Sequence, residues 1–307
     1  MIIIISETTD KVTDNVIDWL FFYKYTKIIR INENDLITAI NINDNDIFIT
    51  IKDRVIKLSE IKSFWHRRGF LSYSKICDLK KHEFSKEINN HLCDEWYSMR
   101  NYIYNELYKK KGIFNKKGNV NKIIILKLAK EIGFKIPCFC ITDNKNEIPD
   151  NPLIIKAISD SIDIYTENFH ETFYTEKYSI GDNNFDTFFP TFFQEAIKKK
   201  IDIRTIYVKG NIWSMAINNE NKVDIDFRKN YDALRCSPYK LPKEIEIKLH
   251  KIMNKLEMDF GAIDFVLDYN DNVFLLEINP YGQFEMVSAP CNYQIEKKIA
   301  QILLTNA

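Results

Sequence analysis

The stretch from Phe260 to Pro280 limits most what this chain can fold into. Two apolar runs, Gly261-Ala262-Ile263-Asp264-Phe265-Val266-Leu267-Asp268 and Val273-Phe274-Leu275-Leu276-Glu277-Ile278-Asn279-Pro280, flank the turn-forming segment Tyr269 to Asn272. Runs of this β-branched and aromatic content, separated by Asn and Asp, read as the two strands of a hairpin. With Asp268 facing Val273, counting back sets Asp264 opposite Glu277. Directly opposed residues share a sheet face with Cβ atoms about 5 Å apart. Asn279, two residues past Glu277, lies on that face too. Ile263, Phe265, Leu267, Phe274, Leu276 and Ile278 make the opposite face, wholly apolar and suited to a core. Two like-charged carboxylates so placed repel unless a cation lies between them. Asp264, Glu277 and Asn279 form a hard-oxygen donor set, suited to one or two Mg²⁺ ions that also hold nucleotide phosphates. Asp268, beside the turn, reads instead as a solvated acid.

A phosphate-binding metal site needs cations nearby. Lys156 ends the apolar segment Pro152-Leu153-Ile154-Ile155 and so places an ammonium within a sheet. Lys122 begins a helix that follows a loop and is a further candidate. Gln194-Glu195-Ala196-Ile197 follows a strand and can line an adenine slot through backbone groups. Asp202-Ile203-Arg204 and Asp226-Phe227-Arg228 each alternate acid and base around an apolar residue, which puts both charges of a triplet on one strand face. Cross-strand pairing at a surface is the plainer reading of either triplet taken alone.

Elsewhere the chain alternates strand and helix signals. Ile2 to Ile5 reads as a buried strand rather than the apolar region of a signal peptide. Val12 to Tyr23 has helical spacing, Ile28 to Ile31 is a strand, and Ile47 to Ile51 with Arg54 to Leu58 is a hairpin around Lys52-Asp53. Lys81 to Tyr108 is helical. Lys110-Lys111-Gly112 and Asn115 to Asn119 mark a loop or domain boundary. Asn121 caps a helix from Lys122 to Ile132 that Gly133 ends. Leu153 to Ile158, Phe189 to Ile197, Ile201 to Val208 and Ile212 to Ile217 read as strands, with Gly210-Asn211 turning between the last two. Helices follow over Leu241 to Leu256 and Tyr293 to Leu304. Lys plus Arg balance Asp plus Glu at 43 each, which argues against a nucleic-acid or membrane-surface partner. Cys77, Cys93, Cys138, Cys140, Cys236 and Cys291 show no paired framework and read as reduced thiols of a cytoplasmic protein.

Taken together, Lys156, the Gln194-Glu195 segment, Asp202-Ile203-Arg204, Asp264 and Glu277-Ile278-Asn279-Pro280 resemble the ATP-grasp superfamily across the C-terminal two-thirds of the chain. Within it the chain resembles the microviridin-type peptide ligases, or graspetide maturases, and their grasp-with-spasm subgroup. Phe64-Trp65-His66-Arg67-Arg68, the linker Asn115 to Pro137, Asp226-Phe227-Arg228 with Leu241-Pro242, and Gly282-Gln283-Phe284 carry that likeness. One departure stands out: Ala157 to Ile162, after the strand lysine, contains no glycine where many ATP-grasp enzymes have a glycine-rich loop. The microviridin-type ligases are similarly glycine-poor there, and Tyr174-Thr175 resembles their next segment, so the departure points away from carboxylase and D-alanine-ligase relatives.

The resemblance implies an α/β (α+β) ATP-grasp fold. An N-terminal pre-ATP-grasp domain over 1–115 would precede a central subdomain over 116–193 and a C-terminal subdomain over 194–307, the last two clasping ATP. Mg²⁺ would sit on Asp264, Glu277 and Asn279. ATP would contact Lys122, Lys156, Gln194, Glu195, Ala196, Ile197 and Asp202, while Lys156, Arg204 and Arg228 serve catalysis. The implied activity phosphorylates Asp or Glu side chains of a ribosomal precursor peptide, with leader and core, and joins them to Thr or Ser hydroxyls or Lys amines. A homodimer and a SPASM-type partner protein are implied as well. Two other readings stay open: a ligase adding amino acids to a peptide or protein carboxylate, and a catalytically silent ATP-binding module.

Overall fold

The computed structural model describes residues 1–74, 84–118, 120–159, 163–166, 169–172, 176–178, 187–219 and 234–305. It divides into one unit of Met1–Lys116 with Gln294–Ala307 and a second of Lys117–Tyr293.

The first unit is built on the isoleucine run. Strand Ile2–Ser6 lies between Ile28–Asn32 and Ser63–His66, with Lys111–Ile113 beyond the latter. All three pairings are parallel. A parallel strand is covered on both faces and needs an uninterrupted apolar sequence, which is why every residue of Ile2–Ser6 is buried. Ile3 and Ile5 join a cluster with Ile37, Ile49, Trp96 and Ile103, so Ile2 and Ile4 point to the other face. Helices Lys11–Phe22 and Ile295–Leu304 contact each other, and the second also contacts Ser63–His66. A second sheet runs in the order Arg54–Lys57, Ile47–Ile51, Leu36–Ile42, Ser72–Tyr73. Its Lys52-Asp53 turn has positive φ at both residues, 49° and 61°, the backbone a two-residue hairpin turn demands. Helix Ser85–Leu107 follows; Cys77 and the expected helix start at Lys81 lie outside the described residues. The five described cysteines are free thiols.

Arg67 and Asp10 form an ion pair at 3.1 Å with both side chains only 1% exposed. Burial pulls the Arg67 guanidinium down to about 10, against the attraction of Asp10. Removing one partner of such a pair costs about 3–5 kcal/mol, because a buried charge is left uncompensated. Arg67 thus closes the sheet from within, its N–H and that of Arg68 both donating to the Ile5 carbonyl.

Besides the two-stranded antiparallel pair Asp163–Thr166 and Phe169–Thr172, the second unit holds two larger antiparallel sheets among the described residues. One is ordered Glu176–Tyr178, Leu153–Lys156, Thr187–Glu195, Phe139–Asn144. The other is ordered Leu234–Tyr239, Asn211–Asn219, Lys199–Val208, Phe260–Asp268, Val273–Asn279. Helices Lys122–Ile132 and Lys243–Lys255 supply Ile125, Leu126, Ala129, Leu249 and Ile252 to a core shared with Ile203, Ile263 and Phe265. Asn121 caps the first of these helices, its side chain accepting the Ile123 N–H at 2.8 Å, and Gly133 ends it in the left-handed region at φ 96°. Among the described residues, no helix is long and apolar enough to cross a membrane.

Three local expectations change. The turn after Val208 is Lys209-Gly210, both at positive φ, so Asn211 opens the next strand. Lys111-Gly112 is not a break but part of strand Lys111–Ile113. A Cβ on Gly112, whose φ is +149°, would lie 1.8 Å from the Phe64 carbonyl oxygen, so the glycine is there because the neighbouring backbone comes close. The last hairpin is also wider at its turn than expected: Leu267, not Asp268, pairs with Val273, and a bulge between Asp264 and Phe265 restores the pairing of Asp264 with Glu277. The core face therefore takes Val273 and Leu275 in place of Phe274 and Leu276.

Gly112→Ala is expected to destabilise the protein by about 3 kcal/mol or more, since both space and φ oppose the methyl. Chemical denaturation measures it; stability within 1 kcal/mol of wild type would show that the Phe64 backbone yields freely.

Candidate active site

Strand Lys199–Val208 is bordered by Asn211–Asn219 and Phe260–Asp268, and this sets a row of side chains across the sheet. Arg204 pairs with Met215 on one side and Asp264 on the other, and Asp264 pairs in turn with Glu277. Ile203, Tyr207, Ile263 and Phe265 alternate with these and face the core, which leaves Asp202, Arg204, Ala262 and Asp264 on the opposite face. Arg204 Nη1 donates to Asp264 Oδ1 at 2.6 Å and to Oδ2 at 2.7 Å. One nitrogen thus serves both oxygens, and Arg204 Nε is buried without a hydrogen-bond partner among the described residues.

Two lysines arrive from other elements. Lys122, the first residue of its helix, places Nζ 3.6 Å from Glu277 Oε2 and donates to the Ala157 carbonyl at 2.7 Å. Lys156, at the end of Leu153–Lys156, adds its charge to the same carboxylate. Burial pushes the Asp264 carboxyl above the usual range; Arg204 opposes this and Glu277 adds to it. Burial resists ionisation of Glu277 as well, yet Lys122, Lys156 and Arg204 together hold it below its ordinary value. The two carboxyls thus shift in opposite directions, Asp264 upward and Glu277 downward, each feeling the other's charge.

Such a pair fits a divalent ion, which relieves the repulsion between two carboxylates on one sheet face. Among the described residues no group of three His, Cys, Asp or Glu is placed to hold a metal. An ion here would complete its shell with the Asn279 amide or with oxygens from outside the chain, as Mg²⁺ does. Asn279 ends its strand opposite Ala262, and its Oδ1 already accepts the Tyr281 N–H at 2.9 Å. Asp202 shares the face of Arg204 but is engaged by Lys199 Nζ at 2.7 Å.

The Gln194 to Ile197 segment lies at the end of Thr187–Glu195. The Glu195 N–H donates to the Cys138 carbonyl at 2.8 Å and the Ala196 N–H to the Pro152 carbonyl at 2.9 Å. Those two amides are thereby engaged, and the Ile197 N–H makes no backbone hydrogen bond among the described residues. Gln194 is 1% exposed, and its Oε1 has no partner among the described residues. A buried carboxamide oxygen left unpaired costs about 1–3 kcal/mol, a penalty a ligand N–H would remove. Lys122, Lys156, Arg204, Asp264 and Glu277 are thus brought together, while Arg228, with Asp226 and Phe227, lies outside the described residues. Gly282, singled out in the sequence only within the family-like Gly282-Gln283-Phe284 segment, sits against Ala262 and Arg204; a glycine two residues after a proline gives no sign of which side chain it faces.

Residues 142–303 match the RimK-like ATP-grasp domain, and the chain belongs to that family. It is accordingly an ATP-grasp ligase. No curated protein sequence matches the chain significantly. Among solved structures it is similar to a RiPP-associated ATP-grasp ligase of Chryseobacterium gregarium in complex with ADP and a leader and core peptide. That similarity has a TM-score of 0.78 at 22% identity, covering 100% of this chain and 97% of the other. The macrocyclase MdnC of Microcystis aeruginosa MRC, bound with precursor peptide MdnA, gives 0.77 at 22% identity, covering 99% and 100%. The ATP-grasp ligase PsnB, complexed with minimal precursor, Mg and ADP, gives 0.73 at 13% identity, covering 99% and 97%.

Replacing Gln194 by Leu removes the unpaired oxygen without opening a large cavity. Thermal stability is expected to hold or rise, while ATP affinity falls about tenfold through one lost hydrogen bond. Melting curves and calorimetric titration check the two effects; unchanged affinity would separate Gln194 from the nucleotide.

Proposed function

We propose that this ligase is an ATP-dependent peptide macrocyclase. The observation that carries the reading is the convergence of Lys122, Lys156 and Arg204 on the Asp264–Glu277 pair. In it, Lys122 and Lys156 hold the phosphates of ATP, and Arg204 with Arg228 holds phosphate oxygens together with the carboxylate of an Asp or Glu side chain, aligning it against the γ-phosphorus. A carboxylate oxygen attacks, the bond to the β,γ-bridging oxygen breaks, and ADP leaves. The product is an acyl phosphate whose phosphate is a good leaving group. A Thr or Ser hydroxyl of the same peptide then attacks the acyl carbon, giving an ester with release of phosphate; a Lys amine gives an amide. Asp264, Glu277 and Asn279 are the residues that would hold Mg²⁺, which supplies neutralisation of charge on the transferred phosphoryl group. The chain contributes mostly positioning and a preorganised field. The unpaired Gln194 Oε1 and the free Ile197 amide suit the amine and a ring nitrogen of adenine.

The peptide acceptor is supported by the neighbours' own ligands, leader and core or precursor peptides bound to ligases matching this chain over nearly its full length. A clasp of ATP between central and C-terminal subdomains, a homodimer, a SPASM-type partner and a cytoplasmic setting complete the reading. One rival shares the ATP-grasp chemistry: addition of amino acids to a peptide or protein carboxylate. Mass spectrometry separates them, since addition raises the substrate mass and macrocyclisation loses one water per link.

The deciding experiment incubates the ligase with ATP, Mg²⁺ and the peptide encoded beside its gene. Glu277→Gln is expected to lower both ADP release and water loss by about 100-fold or more. Full activity in that variant removes Glu277 from the site.

A further inference from the structure

We infer that Gly282 is a positioning residue for Arg204, an assignment that rests on the reading of Arg204 as a group facing substrate anions. After strand Val273–Asn279 the chain turns back on itself, the Tyr281 N–H bonding Asn279 Oδ1 at 2.9 Å. The turn is pinned at both ends, since Ile278 and Phe284 are buried in the core. Gly282 is thereby held against the site face of the sheet. A Cβ built on it would lie 2.3 Å from the Ala262 Cβ and 3.0 Å from Arg204 Nη2.

Carbon atoms in contact sit roughly 3.5–4.0 Å apart, so a methyl here needs a shift of about 1 Å or more. Ala262 cannot supply it, because it lies inside a strand paired with Ile206 on one side and Asn279 on the other. Gly282 is not among the residues at positive φ, so its backbone accepts any L residue and the requirement is one of space alone. The space it leaves is occupied by the guanidinium of Arg204, which reaches Asp264 through Nη1 and keeps Nε unpartnered. Bonded on the Nη1 side and roofed on the Nη2 side, the group has one seat. A side chain at 282 presses on Nη2 and shifts the guanidinium by a few tenths of an ångström against its bonds to Asp264.

The two close contacts can be tested apart. Gly282→Ala alone meets both Ala262 and Arg204; Gly282→Ala combined with Ala262→Gly restores the room at 262 and leaves only the contact with Arg204. The double variant is expected to melt like wild type yet to bind Mg²⁺–AMPPNP about threefold more weakly, because the remaining contact forces a shift of only a few tenths of an ångström and a full 1 Å misplacement costs about 100-fold. In an Arg204→Ala background, Gly282→Ala should add less than about twofold, because the group it positions is gone. Wild-type affinity in the double variant, losses that simply multiply in the Arg204→Ala background, or failure of both glycine variants to fold would each overturn the assignment. Nucleotide binding is read without any peptide. Coupled variants together with a wild-type protein that leaves the peptide unmodified would therefore sink the macrocyclase reading and leave the role of Gly282 standing.

Discussion

Two carboxylates face each other across an antiparallel strand pair at partial burial, and much of the second unit is arranged around that fact. At about 5 Å and an effective dielectric near 20, their mutual repulsion is roughly 3 kcal/mol. Three cations from three different elements answer it: Lys122 at a helix start, Lys156 at a strand end and Arg204 inside the neighbouring strand. None of these elements is adjacent to the hairpin in sequence. The fold therefore gathers charges of both signs that local structure alone would keep apart, and their mixture suits a cation and an anionic ligand taken up together.

The scaffold behind that row is apolar and regular. Alternation along Lys199–Val208 and Phe260–Asp268 sends Ile203, Tyr207, Ile263 and Phe265 into the core and leaves the charged residues on the other face. The two helices covering the core then fix the sheet, and one of them delivers Lys122 from its first turn. The Asn121 cap matters here for function as well as stability, because it sets where that turn begins and so where Lys122 points. Close backbone approach does the remaining shaping, at Gly112 in the first unit and at Gly282 beside Arg204.

The bulge in the last hairpin shows how a right pairing can rest on wrong intermediate steps. Counting from a turn closed by Asp268 and Val273 sets Asp264 against Glu277, and the pair is there. The turn is in fact one residue wider, and Leu276 is the extra residue that brings the register back. Such an irregularity re-aims side chains near an active site. Its consequence is visible in the core, where Val273 and Leu275 stand in for Phe274 and Leu276. No pattern in Val273 to Asn279 announces it, because every residue up to Glu277 is apolar and either phase reads as a strand.

The sequence by itself determined the strands and helices with strong period or clear punctuation. These include the isoleucine strand, the Asn121 to Gly133 helix and the acidic hairpin, where local side-chain preferences and tertiary demands agree. It also supplied the chemistry of Lys156, Arg204, Asp264 and Glu277, since a charge embedded in apolar strand sequence is expensive unless it has a partner. Only the tertiary structure decided which partners those were. The contact of Lys122 with Glu277 spans 155 positions and that of Arg204 with Asp264 spans 60, distances over which no periodicity speaks. It decided as well that Lys111-Gly112 is a strand edge and that Gly282 faces an arginine. A glycine's role is set by what lies beside it, and a neighbour brought near by folding leaves no trace in the residues around the glycine.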